Sequence, residues 1–282
     1  MCNLGGITME NEVRDFYNKY GIREWNRLEE NTYSKINFLL HMHFIEKYLH
    51  SGMSVLDAGC GAGRYSIEFA KKGCKVTLFD ISDEQLKIAK EKICEANVEE
   101  NIEGFFQGDI RDLSQFMDEE FDIVICYGAP LSYVLDNRDK AILEFNRVLR
   151  KNGLLFLSVN NKWGILKMLL GNKYPDFFSN PEYWYIDKVM KTGDLPKHEK
   201  VSQPPRHFFE ADELNDLLSG NGFDEMVLGG SPCFSCGNLQ SVEELGKDER
   251  AFNTILQIEL ETYKKSTMVD NGEFLLAKGI KK

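Results

Sequence analysis

Between residues 53 and 160 short, nearly continuous apolar segments alternate with stretches of helical spacing, and this constrains the fold most. Met53–Ala58, Lys75–Asp80, Ile102–Gly108, Phe121–Tyr127 and Gly153–Val159 read as strands. Arg64–Lys72, a segment beginning at Ser82, and Asp136–Arg150 read as helices. The middle helix opens on Ser82-Asp83-Glu84-Gln85, a capping-box pattern that satisfies backbone N–H groups at a helix start. Leu86, Ala89 and Ile93 then share one of its faces, as Ile142, Phe145 and Leu149 do in the next helix. Strands that are apolar on both faces and joined by helices imply a parallel sheet covered on each side. The expected class is therefore α/β, a Rossmann-like doubly wound sheet.

The flanks extend this core. Ile36, Leu40, Phe44 and Tyr48 recur every four residues, which places a helix just before the first strand. After the core, Asn161–His207 is irregular and holds the aromatic cluster Tyr183-Trp184-Tyr185. Glu210–Leu218 reads as a helix stopped by Gly220 and Gly222, and Asp224–Leu228 as a strand. A long helix over about Val242–Lys265 and a last strand, Glu273–Lys278, follow. The expected organisation is a helical cap over 1–50, a ligand-binding core over 51–160 and an insertion or lid over 161–207. The core would finish over 208–282, with a helical insertion at about 233–267.

With 282 residues the chain suits one large domain with insertions. Lys and Arg total 34 against 45 Asp and Glu, a net charge of −11. Such a chain repels phosphate backbones in bulk, which argues against a dedicated nucleic-acid binder. No apolar run approaches the ~20 residues that span a bilayer, and the first residues lack a signal-peptide pattern, so no membrane partner is expected. The cysteines number seven and are scattered (Cys2, Cys60, Cys74, Cys94, Cys126, Cys233, Cys236), which suits a reduced, cytoplasmic protein better than a disulfide framework. Cys233-Phe234-Ser235-Cys236 has C-x-x-C spacing but no second ligand pair, so no metal is expected. His41 and His43 lie two apart on a helix and point to different faces.

The stretch most informative about function is Val55-Leu56-Asp57-Ala58-Gly59-Cys60-Gly61-Ala62-Gly63-Arg64. Alternate glycines after a buried strand let the backbone turn sharply and approach a ligand closely. A dinucleotide fingerprint needs G-x-G-x-x-G, and counted from Gly59 its third glycine is replaced by Arg64. An acid, Asp57, precedes the loop instead. Its carboxylate repels a pyrophosphate and attracts an ammonium or a sulfonium, which favours S-adenosylmethionine (SAM) over a nicotinamide dinucleotide. Asp80 ends the second strand, where a carboxylate can accept from both ribose hydroxyls, with Ile81 beside it. Asp109 follows the third strand, placed to accept from an adenine amino group while Ile110 lies against the ring.

On these residues the chain resembles the class I SAM-dependent methyltransferases. The similarity is close over about Ile36–Asn160 and looser in Arg206–Leu228 and the last strand. It implies a seven-stranded, mostly parallel sheet and SAM as cofactor. It further implies that Asp57, Gly59, Cys60, Gly61 and Gly63 surround the methionine end, Asp80 and Ile81 the ribose, and Asp109 and Ile110 the adenine. Cys126 would border the same site from the fourth strand. Where the family often has Pro-Gly-Gly before strand five, this chain has Asn152-Gly153-Leu154, which still makes a tight turn.

Methyl transfer from a sulfonium needs positioning and desolvation more than a base, so no catalytic residue is singled out. Tyr127 and Tyr133, after strand four, are candidates for orienting the acceptor, with His207 a further one just before a late helix. Tyr17, Tyr33 and Lys35 could close over the cofactor from the N-terminal helices. Between Asn161 and His207 lie eight Lys or Arg and five Asp or Glu, a local surplus of positive charge that suits an anionic or planar small molecule. Asn160-Asn161-Lys162-Trp163-Gly164 and Glu259-Leu260-Glu261-Thr262-Tyr263 also resemble the tRNA wobble-uridine carboxylate methyltransferases. That makes tRNA a less favoured acceptor, against the overall charge. A SAM-binding sensor without transfer is the remaining reading.

Overall fold

The computed structural model describes residues 9–171, 176–198 and 201–282. Five parallel strands form the centre: β1 (Ser54–Ala58), β2 (Lys75–Asp80), β3 (Ile102–Gln107), β4 (Phe121–Cys126) and β5 (Leu149–Asn160). β6 (Asp194–Leu195) and β7 (Arg206–His207) pair as a separate antiparallel ribbon. β8 (Phe223–Ser231) and β9 (Phe274–Lys281) complete the main sheet, β9 running antiparallel to both β5 and β8. The sheet order is β3-β2-β1-β4-β5-β9-β8. This is the seven-stranded, mostly parallel sheet anticipated from the strand pattern and the resemblance.

The continuous apolar runs are explained by two cores, one on each face. Val55, Val76, Leu78, Ile123, Ile125 and Phe156 point to one side, under α3 (Thr32–Glu46), α4 (Arg64–Lys71) and α5 (Asp83–Ala96). Leu56, Phe79, Val124, Leu155 and Leu157 point to the other, under α6 (Arg138–Val148) and the helix Ala211–Gly220. A strand such as Ile123-Val124-Ile125 alternates in direction but not in hydrophobicity, as burial on both faces requires.

Local departures from the expected elements have identifiable causes. The long helix expected near the end is two helices, Leu239–Leu245 and Glu249–Thr262; it breaks at Gly246, and Asp248 restarts it by accepting from the Ala251 N–H. The turn at Asn152-Gly153 lies inside β5 as an irregularity: Phe121 faces Leu149 while Ile123 faces Leu154, and Asn152 takes a φ of 60°. The capping box at Ser82 is half made. Ser82 Oγ accepts from Gln85 N, but the Gln85 side chain turns away and donates to the Tyr17 and Gly21 carbonyls, both at 3.0 Å. That buried glutamine fastens the end of α1 (Met9–Tyr20) to α5.

The segment after β5 builds a small core of its own from Tyr185, Val189, Leu195 and Phe208. Tyr185 of the aromatic cluster is therefore a packing residue, Trp184 is exposed, and the Tyr183 side chain lies outside the described residues. Cys233 and Cys236 are buried, and burial pushes both thiols up to about 12. Their loop is held by the buried Glu259 carboxylate, which accepts from the N–H groups of Cys233, Phe234 and Ser235. His41 is buried against the Asn37 carbonyl. Among the described residues no group of three or more His, Cys, Asp or Glu is placed to hold a metal, and no helix is long and apolar enough to cross a membrane.

Phe156 is fully buried between the Phe44 and Tyr48 rings. Phe156→Ala is expected to cost about 3–5 kcal/mol in urea unfolding, whereas Leu143→Ala, on a side chain 54% exposed, should change stability by less than about 0.5 kcal/mol.

Candidate active site

β1 and β4 are neighbours, yet the chain winds from them in opposite directions, to β2 and β3 on one side and to β5 on the other. The loops leaving their carboxyl ends diverge, and open α/β sheets bind ligands in the crevice so formed. A cavity lies there, lined from the strand tips by Asp57, Asp80, Asp109 and Tyr127 and covered from the N-terminal helices by Tyr17, Glu24 and Arg27.

The loop after β1 is folded tightly over the tip of β2. Gly59 has a φ of 86°, and a side chain there would place its Cβ 2.3 Å from Pro130 Cγ. The Gly59 and Cys60 N–H groups both donate to the Phe79 carbonyl, and Gly61 N donates to Asp80 Oδ2 at 2.8 Å. Asp80 Oδ1 accepts from Ser82 N, also at 2.8 Å. One side chain thus joins the glycine loop to the start of α5. Burial pushes the Asp80 carboxyl up to about 6 against the pull of those N–H groups, with Glu24 adding to the rise. Asp57 is 2% exposed and accepts from Ser66 Oγ at 2.6 Å. Burial pushes it up to about 7, opposed by Ser66 and assisted by Asp80.

The charge balance of the cavity is uneven. Glu24 is answered by Arg27, which reaches its two oxygens from Nε at 2.7 Å and Nη2 at 2.6 Å. Asp109 is answered by Arg111 in a two-point fork at 2.8 and 2.7 Å. Neither Asp57 nor Asp80 has an ion-pair partner among the described residues. Two buried carboxyls without a counter-ion make a site that a cation completes.

Most of the residues singled out from the sequence converge here: Tyr17, Asp57, Gly59, Cys60, Gly61, Asp80, Ile81, Asp109, Ile110, Tyr127 and Tyr133 all line the cavity. Five others lie elsewhere. Gly63 caps α4 from behind the loop, packed on Ala89. Cys126 is fully buried in the core facing α6. Tyr33 is buried beside Glu273 and Cys236. His207 is buried between Asp194 and Glu213, at 2.7 and 2.9 Å. Lys35 reaches over the Phe252 ring, away from the cavity. Sequence reasoning missed Glu24 and Arg27, because an acid and a base three apart in a short helix read as an ordinary surface pair.

The family model for a methyltransferase domain matches residues 55–153, which contain the three strand-tip acids and the glycine loop. Residues 55–153 are thus a methyltransferase domain of the SAM-dependent kind. An uncharacterized protein of Methanocaldococcus jannaschii is 29% identical to this methyltransferase over 221 residues, covering 75% of this chain and 76% of the relative. A ubiquinone/menaquinone biosynthesis C-methyltransferase of Shewanella pealeana is 28% identical over 181 residues, covering 62% and 68%. The crystal structure of a SAM-dependent methyltransferase from Thermotoga maritima superposes with a TM-score of 0.60 at 19% identity, over 95% of this chain and 99% of that one, and shows the same fold.

The methyltransferase uses SAM, and the cavity fits it: the cofactor is cationic at the sulfonium and ammonium, and the two unpaired carboxyls gain from either charge. A cation favours their ionised forms, so SAM binding at neutral pH and below must release protons. Affinity is expected to rise from pH 5.5 to 8, through the range of about 6 to 7 where the free carboxyls titrate. Calorimetry in buffers of different ionisation enthalpy should show net proton release at pH 6.5. Proton uptake, or an affinity flat with pH, would contradict it. In the free protein the sign runs the other way. A raised carboxyl binds its proton more tightly folded than unfolded, so these groups lower stability as pH rises from about 4 towards 7. Asp57→Asn should raise the Tm of the free protein at pH 8 while weakening SAM binding.

Proposed function

We propose that this methyltransferase transfers the SAM methyl group to a small-molecule acceptor, which enters a second chamber against the cofactor cavity. The observation that carries this reading is the wall the two spaces share. Tyr17, Glu24, Arg27, Gly128 and Tyr133 line both, and the second space, about 230 Å³, is of metabolite size.

In this reading Asp57, Gly59 and Gly61 receive the methionine end and Asp80 the ribose. Asp109, steadied by Arg111, lies at the adenine with Ile110 against the ring. Arg27, paired with Glu24, lies over the turn after β4 with its Nη2 3.2 Å from where a Gly128 Cβ would lie, and closes the cavity there. Bound SAM supplies a methyl group already activated by its sulfonium. The reaction is an in-line displacement in which the acceptor's lone pair takes the methyl carbon as the carbon–sulfur bond breaks. The chain contributes position and dryness. Tyr17 OH lies 3.2 Å from Tyr133 OH at the junction of the two spaces. Burial holds the Tyr17 hydroxyl well above its ordinary value, so it stays protonated and acts as a hydrogen-bond donor, not a base.

Methyl-labelled SAM incubated in parallel with a small-molecule extract and with total tRNA tests this reading. Label is expected in the small-molecule fraction. Tyr133→Phe should lower kcat/KM by about tenfold, the value of one hydrogen bond, with SAM affinity nearly unchanged. Label in tRNA alone would overturn the reading in favour of a nucleic-acid substrate. Label in neither, with SAM bound, would favour a sensor.

A further inference from the structure

We infer that the acceptor carries an anionic group, a carboxylate or a phosphate, and that Arg206 receives it. This deepens the small-molecule reading and rests on it.

The acceptor chamber holds two guanidinium groups, Arg27 and Arg206, in opposite electrostatic states. Arg27 is neutralised by its two-point contact with Glu24. Arg206 has no carboxylate at ion-pair distance among the described residues. Its Nη1 donates to Tyr133 OH at 3.3 Å, its Nη2 donates to the Gln203 side-chain oxygen, and its Nε is buried without an acceptor. The guanidinium also lies over the Phe208 ring, 5.2 Å from the centroid. It is thus oriented by three neutral groups and paired with none that bears charge. A partly buried guanidinium is costly without a counter-ion, and its planar fork matches carboxylate and phosphate oxygens. The other acid lining the chamber, Glu273, is not at ion-pair distance from it. Burial raises the Glu273 carboxyl, opposed by the Tyr33 hydroxyl and by the more distant charges of Arg27 and Arg206.

Two further groups define the rest of the ligand. Asn160 Oδ1 is buried in the same chamber with no donor, so it suits an N–H or O–H of the acceptor. Tyr133 OH accepts from Arg206, and whichever way the Tyr17–Tyr133 hydrogen bond runs, one hydroxyl proton of that pair is left over. The chamber therefore presents a fixed cation, an unanswered acceptor and a spare donor. An acceptor bearing an anionic group together with an amine or hydroxyl answers all three. His207 takes a role in this arrangement. Held by Asp194 and Glu213, it anchors β7 and so fixes the backbone of the preceding Arg206.

The test uses the full chain saturated with S-adenosylhomocysteine, so that the cofactor's own carboxylate site is filled. Inorganic phosphate and acetate are titrated separately by calorimetry and by fluorescence of the chamber tyrosines. Saturable binding of one or both is expected, phosphate alone pointing to a phosphorylated acceptor and acetate alone to a carboxylate. Arg206→Gln should weaken that binding by about tenfold or more, Arg206→Lys by less, and neither should alter S-adenosylhomocysteine affinity, which also certifies folding. No saturable anion binding, or equal binding by Arg206→Gln, overturns the assignment whether or not methyl transfer is seen. In the labelling experiment, transfer to neutral or cationic acceptors alone overturns the anionic class and leaves small-molecule transfer standing.

Discussion

The structure turns on two carboxyls, Asp57 and Asp80, buried at the tips of adjacent parallel strands with no cationic side chain paired to them among the described residues. Burying them is unfavourable, and their raised titration expresses that cost. The fold retains them because each does a second job. Asp80 bonds the Gly61 and Ser82 N–H groups and so holds the glycine loop and the start of α5 in register. Asp57 takes the Ser66 hydroxyl and ties β1 to the first turn of α4. Both residues line the cavity, so the geometry of the backbone and the charge offered to a cationic ligand cannot be separated.

That half of the molecule was legible in the sequence because it follows local rules. A strand buried on both faces must be apolar throughout, so β1, β2, β4 and β5 announce themselves. Charged residues at their carboxyl ends then stand out against the apolar runs, as Asp57 and Asp80 do. Gly59 is needed where Pro130, 71 positions later, crosses the loop, and the glycine is visible even though the proline's approach is not. Cys126 and Gly63 show the limit of such reading. Both belong to the right strand tip or turn, but pleat and helix phase decide whether a side chain faces the ligand or the core. A shift of one residue reverses the answer.

The other half was not legible, for a physical reason. The Glu24–Arg27 pair, Tyr33 and His207 acquire their surroundings only from long-range packing. Tyr33 at the start of α3 is covered by the turn before β9 and by the Cys233–Cys236 loop. His207 is enclosed by a ribbon partner and by a helix that follows it. Gln85 carries a capping signature and spends its side chain on α1 instead. In each case a tertiary contact outweighs a local propensity worth about a kcal/mol.

The insertion after β5 shows why counting charge is a poor guide to recognition. Its surplus of Lys and Arg suggested an anionic substrate. Yet Lys162 pairs with Glu210, Lys197 with Glu12, and Lys167 donates to the Cys233 carbonyl. Lys188 and Lys191 are exposed, where water screens them. What distinguishes Arg206 is that the fold orients it in a chamber with no ion-pair partner among the described residues. Net charge sums over groups that the protein has already neutralised, whereas a ligand responds to the groups that it has not. The same criterion picks out Asp57 and Asp80 in the neighbouring cavity, so the two proposed sites follow from one principle with opposite sign.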